Sequence, residues 1–435
     1  MNRHPLRNTL LVIVVLGAIV ALAILLGAFR SSSVAPGVEQ PLSADEMKRL
    51  VPKGRELALA GDCFGCHSTA NGPMAAGGVP IPTPFGTIYS VNITPDPTFG
   101  IGKYTRADFH RVIRDGVAPG GRNLYPAMPF VFTHITEPAD IDALYAYMMS
   151  IPPIAQANRV YTGAFALPVR PFMNFWTLLN FPDRSAPVNP ERSAGWVRGA
   201  YLVEGLGHCG ACHSPRNFMM GVDFGRSLQG GSVGTYDVPP ITSAALGARS
   251  FDLPSLTHYL RTGQSPQGTA YSGMSTVTHF STSAMAPADT AAIATYLLTD
   301  ASGKIVTPAK PPTPLPAAAA PEAGTGMAAG RLVYLASCAG CHGASGEGIP
   351  NVAPALKGNS TLAMAEARNL IAVVINGIPT QRFPEGQRMY AMPPFAHILS
   401  ETQIADLSTW LRAEWGGHAT PVAAAEVRAV EPAVR

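Results

Sequence analysis

The feature that most constrains this chain is a five-residue group that occurs three times: Cys63-Phe64-Gly65-Cys66-His67, Cys209-Gly210-Ala211-Cys212-His213 and Cys338-Ala339-Gly340-Cys341-His342. The three groups use all six cysteines of the 435 residues, so no thiol remains for a disulfide elsewhere. On a helix, cysteines at i and i+3 share a face and can form thioethers with the two vinyl groups of one porphyrin; a histidine at i+4 then points at the iron. Small residues between the cysteines let the ring lie close to the backbone. The expectation is therefore three covalently bound haem c groups, attached through these six cysteines and ligated by His67, His213 and His342. A zinc ribbon would need about four ligands per site, usually from two such pairs, and three identical groups do not divide that way. A thioredoxin-like redox pair requires no following histidine.

Haem iron that exchanges electrons needs a second axial ligand, and a methionine sulfur, which raises the potential, is a common one. Met128, in Ala127-Met128-Pro129-Phe130, and Met392, in Ala391-Met392-Pro393-Pro394-Phe395, occupy matching segments. Met274 lies 61 residues after His213, as Met128 lies 61 after His67, and Met392 lies 50 after His342. These three are the expected sixth ligands, with Met285 as the rival of Met274. His110, His134, His258, His279 and His397 read as ordinary surface or hydrogen-bonding groups.

The motifs sit in a longer repeat. A glycine precedes each first cysteine by 9, 10 and 8 residues (Gly54, Gly199 and Gly330), inside a helix-like stretch. Each copy closes on an apolar-periodic helix in which Asp140, Asp289 or Gln403 stands seven residues, about two turns, before Tyr147, Tyr296 or Trp410. Pro138, Pro287 and a Ser400-x-x-Gln403 capping box mark the helix starts. The predicted architecture is mainly α: three tandem units at 42–155, 190–303 and 327–415, a Pro/Ala linker at 304–326 that leaves the third loosely docked, and a flexible tail at 416–435. Ahead of them Leu10–Phe29 carries no charge over 20 residues and is flanked by Arg3, Arg7 and Arg30, which predicts an uncleaved transmembrane anchor at 1–30 with the remainder exported. Phe172, Met173, Phe175, Trp176, Leu178, Leu179 and Phe181 crowd one segment, as an inter-domain core or as a surface for a partner or membrane. Charged residues make up only 14% of the chain, the formal net charge is +3, and no basic stripe points to nucleic acid.

From about Lys48 to Trp415 the chain resembles the triheme cytochrome c subunit of membrane-bound periplasmic bacterial dehydrogenases. The resemblance rests on Asn92-Ile93-Thr94-Pro95-Asp96 with Gly100-Ile101-Gly102, Tyr125-Pro126-Ala127-Met128-Pro129, Gly207-His208-Cys209 through Asn217, and Pro354-Ala355-Leu356 with Met392-Pro393-Pro394. It implies three cytochrome c-type domains with Met128, Met274 and Met392 as axial ligands. It also implies a separate catalytic subunit that supplies electrons, which pass to membrane ubiquinone or a terminal oxidase. The lasting N-terminal span resembles that of the cytochrome partner of molybdenum-containing aldehyde dehydrogenases; the alternatives are a PQQ alcohol dehydrogenase or a flavin-dependent gluconate or sugar dehydrogenase. The expected setting is the inner membrane, anchored by the N-terminal helix, with the haem domains in the periplasm. A reading from another class makes one haem catalytic, as in a peroxidase with an open axial position.

Overall fold

One close helix crossing underlies each repeat, and a glycine makes it possible. The computed structural model of the protein describes residues 4–29, 32, 34–182, 184–309, 326–383 and 387–430, so most of the 304–326 linker and the end of the tail lie outside the described residues. The elements used below are α1 (His4–Leu25), α2 (Ala44–Ala60), α3 (Pro138–Ser150), α4 (Phe172–Asn180), α5 (Ala194–Glu204), α6 (Pro287–Leu298), α7 (Gly326–Ser337), α8 (Arg368–Asn376), α9 (Glu401–Leu411) and α10 (Ala424–Arg428). Helices α2, α5 and α7 open the repeats; α3, α6 and α9 close them. A Cβ on Gly54 would stand 1.9 Å from the Ala143 carbonyl oxygen, one on Gly199 2.0 Å from that of Ala292, and one on Gly330 2.1 Å from that of Asp406. In all three, the first obstacle beyond that carbonyl group is the Cβ of Tyr147, Tyr296 or Trp410, at 2.7–2.8 Å. The glycine and the aromatic marked by spacing are thus the two sides of one backbone-to-backbone contact. The helix starts follow the expected signals, with Pro138 and Pro287 in the first turns of α3 and α6 and a complete Ser400–Gln403 capping box on α9.

The chain divides into two compact units. The first comprises Met1–Ala186, Glu204–His208 and Asn217–Val222. Its opening helix starts on a Ser43–Glu46 capping box. Asp142, on α3, accepts two hydrogen bonds of 2.6 Å from Arg106 and faces Nε2 of the buried His110 at 2.8 Å. The hydrogen bonds from His110 and Arg106 outweigh burial and hold its carboxyl down at about 2.

The N-terminal anchor is a correction. Among the described residues no helix is long and apolar enough to cross a membrane. The apolar run does not remain helical to Phe29: α1 ends at Leu25, Gly27 turns at φ +78°, and Asn174 Nδ2, from α4, donates to the Leu25 carbonyl at 2.8 Å. Only Leu10–Leu25 is both free of polar side chains and helical, and its 16 residues span about 24 Å against a hydrocarbon core of about 30 Å. The aromatic segment is divided between the core of the first unit and its surface. Trp176 is buried, packs edge-on against Phe130 and donates from Nε1 to the Met219 carbonyl at 2.9 Å, whereas Phe172, Phe175, Leu178 and Leu179 are exposed.

The second unit comprises Pro187–Val203, Cys209–Arg216 and Asp223–Arg435 and holds the helix pairs α5–α6 and α7–α9. Around α7 and α9, Tyr334, Trp410 and Trp415 form a triangle of rings with centroids 4.9–5.3 Å apart, an arrangement that adds about 0.5–1.5 kcal/mol per pair to the burial itself. Val422, Val427 and Val430, around α10, are buried in the same core. An antiparallel hairpin of β1 (Gly231–Val233) and β2 (Tyr236–Val238) belongs to this unit, and Tyr236 packs against the core of the third repeat. The third repeat is therefore docked on the second, whatever the composition of the linker between them. Ser360 N–H also donates to the Gln267 carbonyl at 2.8 Å.

Candidate haem sites

Each Cys-x-x-Cys-His group forms a short helical turn whose histidine is held at two points. His67 Nδ1 lies 2.6 Å from the Val91 carbonyl, His213 Nδ1 2.7 Å from that of Pro239, and His342 Nδ1 2.9 Å from that of Pro354. A carbonyl only accepts, so Nδ1 carries the proton in all three and Nε2 presents its lone pair. The backbone carbonyl of each histidine in turn accepts from a glycine N–H: Gly77 at 2.7 Å, Gly230 at 2.8 Å and Gly348 at 2.8 Å. All three glycines have positive φ, at 74°, 90° and 71°. Each also abuts the peptide that orients the ring. A Cβ on Gly77 would meet the Val91 carbonyl carbon at 2.4 Å, one on Gly348 the Pro354 carbonyl carbon at 2.7 Å, and one on Gly230 the Val238 oxygen and Pro240 nitrogen at 3.0 and 3.2 Å. A side chain there would push away the carbonyl that fixes the tautomer.

Burial lowers the proton affinity of all three imidazoles, that of His213 to about 4 with the Arg249 charge adding to the effect, so each ring is neutral at pH 7. No disulfide joins any two of the six cysteines. Burial pushes Cys63 up to about 12 and Cys338 to about 11, which keeps these sulfurs uncharged. A neutral imidazole of fixed tautomer beside two cysteine sulfurs outside any disulfide is the donor set that covalent haem attachment requires. Zinc would instead need converging ligands, and among the described residues no three His, Cys, Asp or Glu side chains form such a group.

The expected sixth ligands lie on three different supports. Met128 sits half-buried in a turn, its N–H donating to the Tyr125 carbonyl at 3.0 Å, between the buried Tyr125 and Phe130. Met274 is half-buried on the short helix Gly273–Val277. Its rival Met285 is 6% exposed and belongs to the core. Met392 is fixed by reciprocal backbone hydrogen bonds with Ile378 of 2.8 and 3.0 Å, and Gly377 at φ +66° lets that strand pass. Asn92, in the Asn-Ile-Thr-Pro-Asp run, is buried and donates from Nδ2 to the Ile154 and Gln156 carbonyls at 2.7 and 3.1 Å, which anchors the residue next to Val91.

The positioning glycines and the three carbonyls escape sequence reasoning. A carbonyl is offered by every residue, and these lie 24, 26 and 12 positions beyond their histidines. The Gly77-Gly78 and Gly230-Gly231 pairs are the available signal.

A mainly helical fold carrying Cys-x-x-Cys-His turns with neutral, carbonyl-oriented imidazoles defines a c-type cytochrome. Residues 51–152 and 327–415 match the cytochrome c family. Over 418 residues the chain is 34% identical to the cytochrome c subunit of the quinone alcohol dehydrogenase of Gluconacetobacter polyoxogenes, covering 91% of this chain and 87% of that one. It is 36% identical to the gluconate 2-dehydrogenase cytochrome c subunit of Pantoea cypripedii, over 85% and 86% of the two chains. It is also 39% identical to a subunit of the nicotinate dehydrogenase of Pseudomonas putida over 87% of its own length, but spans only 32% of that relative. The chain belongs to the family of dehydrogenase cytochrome c subunits, electron-transfer proteins that carry covalently bound haem c and work beside a catalytic subunit.

Proposed function

We propose that this chain carries three haems, at Cys63/Cys66, Cys209/Cys212 and Cys338/Cys341, and relays electrons through them from a catalytic dehydrogenase subunit to ubiquinone or a terminal oxidase. The observation that supports this best is that the imidazole arrangement is the same at all three motifs, including the second, which lies outside the segments matched to the cytochrome c family. When bound, haem supplies one-electron exchange at its iron. The chain's part would be to hold the ring through two sulfurs, to fix the imidazole through Val91, Pro239 or Pro354, and to offer Met128, Met274 or Met392 as a further ligand. Units 42–155, 190–303 and 327–415 are the three haem domains in this reading. The setting is the periplasmic side of the inner membrane, where covalent haem attachment and a membrane quinone meet; the quinone named for the alcohol dehydrogenase relative supports that acceptor.

The catalytic partner in this proposal is of the molybdenum aldehyde dehydrogenase type; among the relatives, the 39% identical nicotinate dehydrogenase chain is named for neither an alcohol nor a sugar substrate. The second reading, a PQQ alcohol or flavin gluconate dehydrogenase, draws on the relatives that match over most of both chains. Gentle purification of the chain with its co-eluting subunits tests both. Adding an aldehyde is expected to reduce the haems of the complex and to leave the separated chain oxidised; reduction by a primary alcohol or by gluconate instead selects the second reading. Stoichiometric carbon monoxide binding at one haem of the native, reduced chain would overturn the relay in favour of a peroxidase-like site.

A further inference from the structure

The imidazole of the second site is oriented by a hairpin that the third repeat holds in place. His213 touches this hairpin at both ends: its carbonyl accepts from Gly230 N–H at 2.8 Å, and its Nδ1 donates to the Pro239 carbonyl at 2.7 Å, just beyond β2. Between these points β1 lies against the motif so closely that a Cβ on Gly231 would stand 2.6 Å from the Cys212 carbonyl oxygen. The free edge of β2 is taken by one side chain. Asn369, buried on α8, accepts from Asp237 N–H through Oδ1 at 2.8 Å and donates from Nδ2 to the Asp237 carbonyl at 2.7 Å. The amide thus replaces a third strand, two residues from the carbonyl that His213 uses. Arg368 adds a bond of 2.8 Å from Nε to the Thr235 carbonyl at the hairpin tip.

We propose that Asn369 is a positioning residue for the second haem, although it lies in the repeat that carries the third: by fixing β2 it fixes the Pro239 carbonyl, and through it the tautomer and tilt of the His213 ring. A hydrogen bond to the distal nitrogen of a ligating imidazole tunes the ligand's basicity and with it the metal's potential. Docking of the third repeat therefore sets the redox poise of the second site. This inference rests on the assignment of a haem to Cys209 and Cys212.

The test uses the full-length holoprotein and potentiometric titration of each haem, with the second identified by the component lost in a Cys209→Ser, Cys212→Ser chain. In Asn369→Leu the equilibrium constant for reducing the second haem is expected to change by about three- to tenfold, tenfold being about 59 mV for one electron, with the first and third unchanged. Asn369→Gln, which keeps the amide, is expected to restore part of the shift. Arg428→Ala, which removes an exposed bond of 2.7 Å to Glu401 within the third repeat, is expected to leave all three potentials alone. Arg368→Ala, at a side chain 46% exposed, keeps the test open if Asn369→Leu does not fold, and is expected to move the same haem less. An unmoved second haem in folded Asn369→Leu or, should that variant not fold, in Arg368→Ala would overturn the inference alone; so would an equal shift of all three. A native chain without haem at Cys209 and Cys212 would overturn it together with the proposed function.

Discussion

Gly330→Ala is expected to destabilise the second unit by about 3 kcal/mol, at the upper end of what overpacking a filled contact usually costs. Intrinsic propensity argues the other way, since alanine in place of a helical glycine gains about 1 kcal/mol. The geometry decides between them. The added methyl would lie 2.1 Å from the Asp406 carbonyl oxygen and 2.7 Å from the Trp410 Cβ, both rigid parts of α9, so no side-chain rotation relieves it. Helices α7 and α9 must separate, which also opens the contact between Tyr334 and Trp410. Guanidinium unfolding of the holoprotein, followed by tryptophan fluorescence, measures the effect. A variant within about 0.5 kcal/mol of the native protein, the ordinary range for a surface substitution, would show that the crossing is looser than described. Gly54→Ala and Gly199→Ala are expected to behave alike, because their contacts match in distance and in partner.

Replacing Met128, Met274 or Met392 with alanine is expected to remove roughly one third of the methionine-to-iron charge-transfer absorption in each case, because each thioether serves one of three haems. Met285→Ala provides the contrast between ligand and core filler. That side chain is buried in the second unit, so its loss is expected to cost about 2–5 kcal/mol of stability, as cavities left by such truncations do, while the absorption stays whole. An undiminished band in any one of the first three variants would remove that methionine from the ligand set. A loss of the band in Met285→Ala would hand it the role assigned to Met274.

The parts of the fold legible in the sequence are those written in local spacing. The Cys-x-x-Cys-His turns, the glycine before each first cysteine and the aromatic seven positions into each closing helix are all visible there, and the last two turn out to be the two sides of one crossing. What stays hidden is long-range or carried by the backbone. The 20-residue apolar run at the N-terminus satisfies a hydropathy count, but its helix stops at Leu25, where Gly27 turns the chain and Asn174, 149 positions away, bonds the last carbonyl. A composition count measures apolar length, not where a helix ends. The prolines and alanines of the linker, extended by nature, suggest loose docking; nothing in that stretch discloses that Asn369 pairs with Asp237, 132 positions earlier. The imidazole-orienting carbonyls are hidden for a further reason: the main chain looks the same at every residue, and only the fold decides which peptide faces Nδ1.

That three haems, and not two, are built into this chain is tested most directly by the intact mass of the mature holoprotein, together with thiol labelling after denaturation. Three haem masses per chain and no reactive cysteine are expected. A mass that carries two haems, with Cys209 and Cys212 open to the label, would contradict the three-haem relay.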